Sequence, residues 1–193
     1  MTKKKTTIFV ISGPGGAGKT TLLEELFKKK NIKNILLRGI TVTTRKIRPR
    51  EKDGRDYFFV SKKDFSQLKK EKFFLESQKI LDNYYGTPKI FYALAKSLSK
   101  DLILCIDVKG GLYLKKNYKA GRIITIFIAA PTQKELYLRM KKRDESKKVM
   151  RQRVKLAKKE LRYAKQYDYL VTNENIASAL KQLEEILLKK EVF

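Results

Sequence analysis

Hydrophobic positions along the chain change period several times, and the changes mark its elements. Residues 8–11 form a short β-branched and aromatic run, and after a glycine-rich stretch Leu22, Leu23, Leu26 and Phe27 recur at helical spacing. This predicts strand, loop and helix in that order. Further strand-like runs occupy 35–37, 102–107, 123–129 and 169–172, and helix-length amphipathic stretches lie around 88–99, 132–142, 147–165 and 176–190. The alternation predicts an α/β fold, a parallel sheet flanked by helices. Between Arg38 and Asn83 the text changes to turn residues, clustered arginines and the alternating run 57–60, which reads as an inserted substrate-binding lobe.

With 193 residues and 42% hydrophobic content the chain suits one domain with one substantial core. A single cysteine excludes an internal disulfide, and the absence of histidine excludes thiol–imidazole zinc sites and histidine-dependent triads. Such usage fits a reducing, cytoplasmic compartment. The apolar run 123–130 is far shorter than the ~20 residues a bilayer span requires, so no membrane is expected as a partner. Lysine and arginine number 46 against 20 acidic residues, a formal net charge of +26 that attracts phosphate-rich partners. Much of the lysine falls in groups at 28–30, 69–70, 115–116 and 158–159, as on solvated helix faces, and no base-reading element accompanies it. Nucleic acid is therefore not the expected partner.

Gly13-Pro14-Gly15-Gly16-Ala17-Gly18-Lys19-Thr20 satisfies the phosphate-loop pattern, between a predicted strand and a predicted helix. Small residues let backbone N–H groups turn inward around phosphate oxygens, and the helix N-terminus adds a favourable dipole. Lys19 can reach the β and γ phosphates, the Thr20 hydroxyl suits magnesium, and Thr21 continues the first helical turn. An ATP site at Gly13–Thr21 is expected.

A second segment, residues 41–57, packs guanidinium groups, hydroxyls and a tyrosine into a loop-rich stretch. Arg45 and Arg48 can each grip a monophosphate bidentately, which lysine cannot; a plain basic surface loop is the alternative. Phe74-Leu75-Glu76, Asn83-Tyr84-Tyr85-Gly86-Thr87, Ile106-Asp107 and Tyr167-Asp168-Tyr169 follow in order. With these motifs the chain resembles the guanylate kinase family over almost its whole length. The resemblance implies transfer of the γ-phosphoryl group of ATP to GMP or dGMP, with Mg2+ as cofactor. It also implies a single domain with a core at about 1–37, 98–135 and 165–193, a GMP-binding lobe at about 38–90 and a helical lid at about 136–155.

Carried over by residue, the resemblance implies that Arg45, Arg48, Tyr57 and Tyr85 hold the GMP phosphate, with Glu51 in the same motif, and that Thr41, Glu76 and Thr87 surround the guanine. A carboxylate suits guanine because N1–H and the exocyclic amine are both donors, while O6 accepts from a hydroxyl. Adenine presents a mismatched edge, and polar pairing of this kind discriminates by roughly 10⁴–10⁵. The resemblance further implies that Arg143 and Arg153, with Arg139, embrace the transferring group from the lid and that Asn173 lies near the ATP base, an Asn turn being the alternative there. Asp107, at the end of a strand-like run, suits orienting a magnesium-bound water, with strand-end solvation or a helix cap as the alternative. The catalytic set is then Lys19, Arg45, Arg143 and Arg153.

Two positions depart from the family pattern. Where the family has Asp-Ile-Asp, then one residue and Gln-Gly, this chain has Cys105-Ile106-Asp107-Val108-Lys109-Gly110. A thiol cannot supply the first carboxylate's charge. These departures keep a second reading open, a catalytically weakened guanylate-kinase-like module that binds protein.

Overall fold

A computed structural model describes residues 6–49, 51–141 and 147–189. The β-branched and aromatic run at the start forms strand β1 (Thr7–Ser12), with Ile8, Phe9, Val10 and Ile11 all buried. Helix α1 (Lys19–Leu26) follows the glycine-rich loop and buries Leu22, Leu23 and Leu26. After α2 (Lys30–Ile35) and β2 (Leu36–Arg38), the chain enters a region whose elements escape the periodicity: β3 (Val42–Thr43), β4 (Phe58–Phe59), α3 (Lys62–Lys70), β5 (Phe74–Ile80) and β6 (Asn83–Pro88). Then come α4 (Ile90–Ser97), β7 (Asp101–Cys105), α5 (Val108–Asn117), β8 (Arg122–Ala129), α6 (Gln133–Lys141), α7 (Lys147–Leu161), β9 (Tyr169–Thr172) and α8 (Ile176–Leu188). The fold is α/β, a central sheet in the order β2-β7-β1-β8-β9 flanked by helices. β2 pairs with β7 in parallel, as β8 does with β9.

Boundaries shift where capping chemistry overrides hydrophobicity. The expected strand 102–107 stops at Cys105 because Asp107 turns extended and caps α5, accepting from the Lys109 and Gly110 amides at 2.8 and 3.2 Å. The expected helix 147–165 ends at Leu161, and a single 3-10 turn follows over Ala164–Gln166. The lysines at 28–30, 69–70, 115–116 and 158–159 are all exposed, as a solvated face requires.

Two compact units divide the chain: the described residues up to Val10 with Ile35–Ile124, and Ile11–Asn34 with the described residues from Thr125 on. The first has an aliphatic core of Ile8, Val10, Leu102, Leu104, Ile106 and Leu114. It also carries a four-stranded sheet in the order β4-β3-β6-β5. Behind that sheet Phe65 of α3 stacks on Phe74 at 4.7 Å and on Tyr84 at 5.5 Å. Gly86 permits this, since a Cβ there would lie 2.8 Å from the Phe74 ring. In the second unit α1 packs on α8, whose Ala179, Leu183 and Leu187 are buried. Asp168 ties β9 to β8 by accepting from the Thr125 amide and hydroxyl at 2.8 and 2.7 Å.

Phe65 is 2% exposed and backs the four-stranded sheet through two ring stacks. Phe65→Ala is expected to cost about 3–5 kcal/mol, measured as a lower urea midpoint followed by tyrosine fluorescence.

Candidate active site

The loop between β1 and α1 is built on glycines that nothing larger can replace. Gly16 and Gly18 have φ of 91° and 89°, a region L side chains avoid, and a Cβ on Gly18 would sit 2.2 Å from Asn173 Nδ2. That amide donates to the Ala17 carbonyl at 2.8 Å, so the buried Asn173 at the end of β9 pins the loop from beneath. Arg139 of α6 in turn donates to the Asn173 carbonyl through both terminal nitrogens at 3.2 Å and bonds Glu135 at 2.8 Å. Lys19 curls over the loop, its Nζ donating to the carbonyls of Gly13 and Pro14 at 2.5 and 3.0 Å. Thr20 and Thr21 are exposed in the first turn of α1. Backbone amides, a helix N-terminus and a lysine together make an anion site.

The other unit gathers a second polar group on one face of its four-stranded sheet. β3 and β6 run antiparallel with Val42 opposite Gly86 and Thr43 opposite Tyr85, a register that continues to set Thr41 against Thr87. β5 lays Glu76 beside Thr87 on the next strand, and β4 runs parallel to β3 with Phe59 against Thr43. Side chains alternate across a sheet, so Tyr57, Phe59, Thr41, Thr43, Tyr85, Thr87 and Glu76 share a face. A β-bulge between Phe74 and Glu76 is what puts the carboxylate there: without the extra residue, Glu76 would follow Phe74 to the opposite, aromatic face.

In the β3–β4 connection Arg45 Nη2 donates to both oxygens of Glu51, at 2.8 and 3.0 Å, and the guanidinium carbon lies 5.3 and 5.7 Å from the ring centroids of Tyr57 and Phe59. Glu51 also accepts from the Arg48 amide at 2.8 Å. Burial is the largest single influence on Arg45 and alone would lower its pKa, but the hydrogen bond to Glu51 and the charge interactions with Tyr85, Glu51 and Tyr57 together outweigh it, and the guanidinium is held more firmly charged. For Glu51 burial is likewise outweighed, and its pKa falls. Burial chiefly pushes the Tyr57 phenol up to about 12, which keeps it a hydrogen-bond donor.

Glu76 is 4% exposed. Thr87 Oγ1 donates to its Oε1 at 2.8 Å, but among the described residues Oε2 accepts no hydrogen bond. Oε2 faces the start of α5, where a Cβ on Gly110 would be 2.7 Å away. Burial raises the carboxyl to about 7, against the Thr87 hydrogen bond and with added repulsion from Asp107. A buried acid with one oxygen unpaired suits a ligand that brings donors.

The structure thus brings Thr41, Tyr57, Glu76, Tyr85 and Thr87 to one sheet face with Arg45, Arg48 and Glu51 in the adjoining connection. Gly13 to Thr21, Arg139 and Asn173 form the other group. Asn173 meets the loop's backbone with its amide, and Asp107 is a helix cap whose charge reaches Glu76. Cys105 is half-buried at the end of β7, and Arg153 is half-buried on α7. Arg143 lies outside the described residues. Sequence reading missed Phe59 beneath Arg45, Gly110 beside Glu76, and Thr44, whose hydroxyl accepts from the Tyr84 amide at 2.9 Å. The adjacent Thr43-Thr44-Arg45 was the available signal for the last.

A glycine-rich loop between a strand of the central sheet and a helix, in an α/β fold whose second sheet carries an arginine and carboxylate group, defines a phosphate-loop nucleotide-binding protein. The guanylate kinase family model matches residues 5–190. A guanylate kinase of Caldanaerobacter subterraneus subsp. tengcongensis is 39% identical over 98% of this chain and 90% of its own length. That of Clostridium tetani is 40% identical over 95% of this chain and 86% of its own. The crystal structure of guanylate kinase from Anaplasma phagocytophilum superimposes with a TM-score of 0.75 at 26% identity, covering 99% of this chain and 89% of that one. The chain belongs to the guanylate kinase family.

Two outcomes follow from these contacts. Asn173→Ala removes the bond to the Ala17 carbonyl, worth about 1 kcal/mol, and is expected to speed hydrogen exchange of the loop amides about fivefold by mass spectrometry. For Glu76 the folded pKa exceeds the unfolded one, so the folded protein binds the extra proton between about 4.5 and 7 and stability falls as pH rises through that window. The stability difference between wild type and Glu76→Gln, from urea midpoints, is expected to move against wild type by about 3 kcal/mol between pH 4.5 and 8.

Proposed function

We propose that the chain transfers the γ-phosphoryl group of ATP to GMP, and to dGMP, giving ADP and GDP. Membership of the guanylate kinase family supports the reaction. The observation that carries the choice of acceptor is the buried Glu76 with Oε2 unpaired. Guanine offers two adjacent donors, N1–H and the exocyclic amine, which satisfy both carboxylate oxygens and favour ionisation; the Thr41 and Thr87 hydroxyls suit O6. Adenine places an acceptor, N1, where guanine places a donor, so the ionised carboxylate would meet a lone pair there and adenine is disfavoured.

Arg45, Arg48, Tyr57 and Tyr85 hold the acceptor phosphate in this reading, with Glu51 keeping the Arg45 guanidinium over the Tyr57 and Phe59 rings. Glu51 positions the arginine without itself touching the anion. Lys19 and the loop amides from Gly13 to Thr20 take the ATP phosphates, and Arg139, Arg143 and Arg153 compensate charge on the group in flight. The nucleophile is an oxygen of the GMP phosphate. With a second pKa near ~6 it is mostly ionised at neutral pH, so no side chain need remove a proton.

Magnesium fits the donor set. Among the described residues no group of three acidic or thiol ligands could hold a metal alone, and the exposed Thr20 hydroxyl is a hard oxygen of the kind that completes a shell of phosphates and waters. The ion, when bound, neutralises charge on the β and γ oxygens. Asp107 is proposed to face it only through water. Among the described residues no helix is long and apolar enough to cross a membrane; a cytoplasmic site of action is proposed with the activity.

A coupled assay with ATP and Mg2+ tests the reading. Wild type is expected to release ADP with GMP at least 10³ times faster than with AMP, Lys19→Ala to lose at least about 10²-fold in kcat, and Glu76→Gln to lose at least about 10²-fold in kcat/KM for GMP. Equal turnover of GMP and AMP would overturn the guanine assignment.

A further inference from the structure

Helix α4 is apolar nearly all round, IFYALAKS, yet Ala95 is its one buried residue among those described. A helix of that composition is normally covered on every side. Phe91 and Tyr92 turn inward and pack against the aliphatic core. Ile90, Leu94 and Leu98, spaced four apart on the outer side, are 60%, 40% and 49% exposed. Lys89 and Lys96, seven apart, form an adjoining exposed row. From residue 83 to residue 100 there is no acidic side chain. An aliphatic ridge with a basic margin therefore runs along the surface, and none of its residues belongs to the nucleotide or acceptor sites.

We propose that the outer face of α4 docks on an anionic lipid bilayer, with Ile90, Leu94 and Leu98 entering the headgroup boundary and Lys89 and Lys96 meeting lipid phosphates and carboxylates. Two physical considerations select this occupant. A helix of eight residues is about 12 Å long, and three part-exposed aliphatic side chains on it supply only a fraction of the ~800 Å² per partner that a stable protein interface needs. Adsorption to acidic lipid has no such area threshold: it grows with the apolar area entering the headgroup boundary and with each basic side chain at the surface, so a short aliphatic ridge with lysines at its margin contributes by both routes. A second copy of the chain is also opposed by charge, since each copy carries +26 and would present the same lysine row. Adsorption requires no membrane-crossing helix.

The test is flotation of the full chain with vesicles of phosphatidylcholine alone or containing about 30% phosphatidylserine, at low and physiological salt. Binding to the anionic vesicles is expected, at least about tenfold weaker with phosphatidylcholine alone, and reduced at least about tenfold both by Leu94→Ser with Leu98→Ser and by Lys89→Glu with Lys96→Glu. The same variants should retain the wild-type rate of GMP phosphorylation in solution, which shows them folded. No flotation would overturn the proposal, as would flotation that the Leu94 and Leu98 substitutions leave unchanged, since net charge alone would then explain it. A dimer in light scattering that those two substitutions abolish would assign the ridge to a second copy and overturn it equally.

Discussion

A carboxylate taken out of water and bonded at only one of its oxygens is expensive, and much of the acceptor unit is arranged around that cost. Glu76 accepts from Thr87, sees the negative charge of Asp107 and has its second oxygen turned toward the first turn of α5. The protein relieves the penalty in its own right by raising the carboxyl toward neutrality. In the proposed function a guanine ring relieves it differently, by bringing two donors to the ionised form. Recognition in that proposal is the exchange of one solution for the other, and a base with an acceptor in place of the N1–H donor matches the ionised carboxylate poorly.

Holding such a group takes structure on both sides of the sheet. The bulge after Phe74 changes the phase of β5, so that Phe74 joins Phe65 and Tyr84 in an aromatic stack while Glu76 faces the hydroxyls of the other face. Gly110 keeps the approach to Oε2 clear, and Asp107 fixes the glycine by capping the helix that bears it. The arginine side of the site is prepared in a comparable way. Glu51 and two aromatic rings hold the Arg45 guanidinium in place, so little conformational entropy would be left to lose to an anion bound as proposed. In the other unit Asn173 and Arg139 brace the phosphate loop from beneath.

Hydrophobic period made the repeated strand–helix elements legible: β1, α1, β8, β9 and α8 lie within a residue or two of where the pattern put them. Between Arg38 and Asn83 it marked only the alternating run 57–60, because β3 and β4 are two residues each and β5, FLESQKI, carries four polar side chains. Strands that short have no period to detect. Residue types at the site were legible through the motifs that carry them, Glu76 and Arg45 among them. Their partners were not: a bulge leaves no mark in the pattern of apolar positions, and the pairing of Arg45 with Glu51 depends on a connection that folds back over six residues. Asp107, at the end of a strand-like run, is the helix cap that this position allowed, while its charge acting on Glu76 depends on a spatial approach the sequence does not display.

The most direct measurement is the proton balance of GMP binding, obtained by titration calorimetry at pH 7 in two buffers of different ionisation enthalpy. A carboxyl that titrates at about 7 alone and is wholly ionised beneath guanine should release about half a proton on binding, and Glu76→Gln should release almost none. An unchanged proton count between wild type and Glu76→Gln would contradict the account.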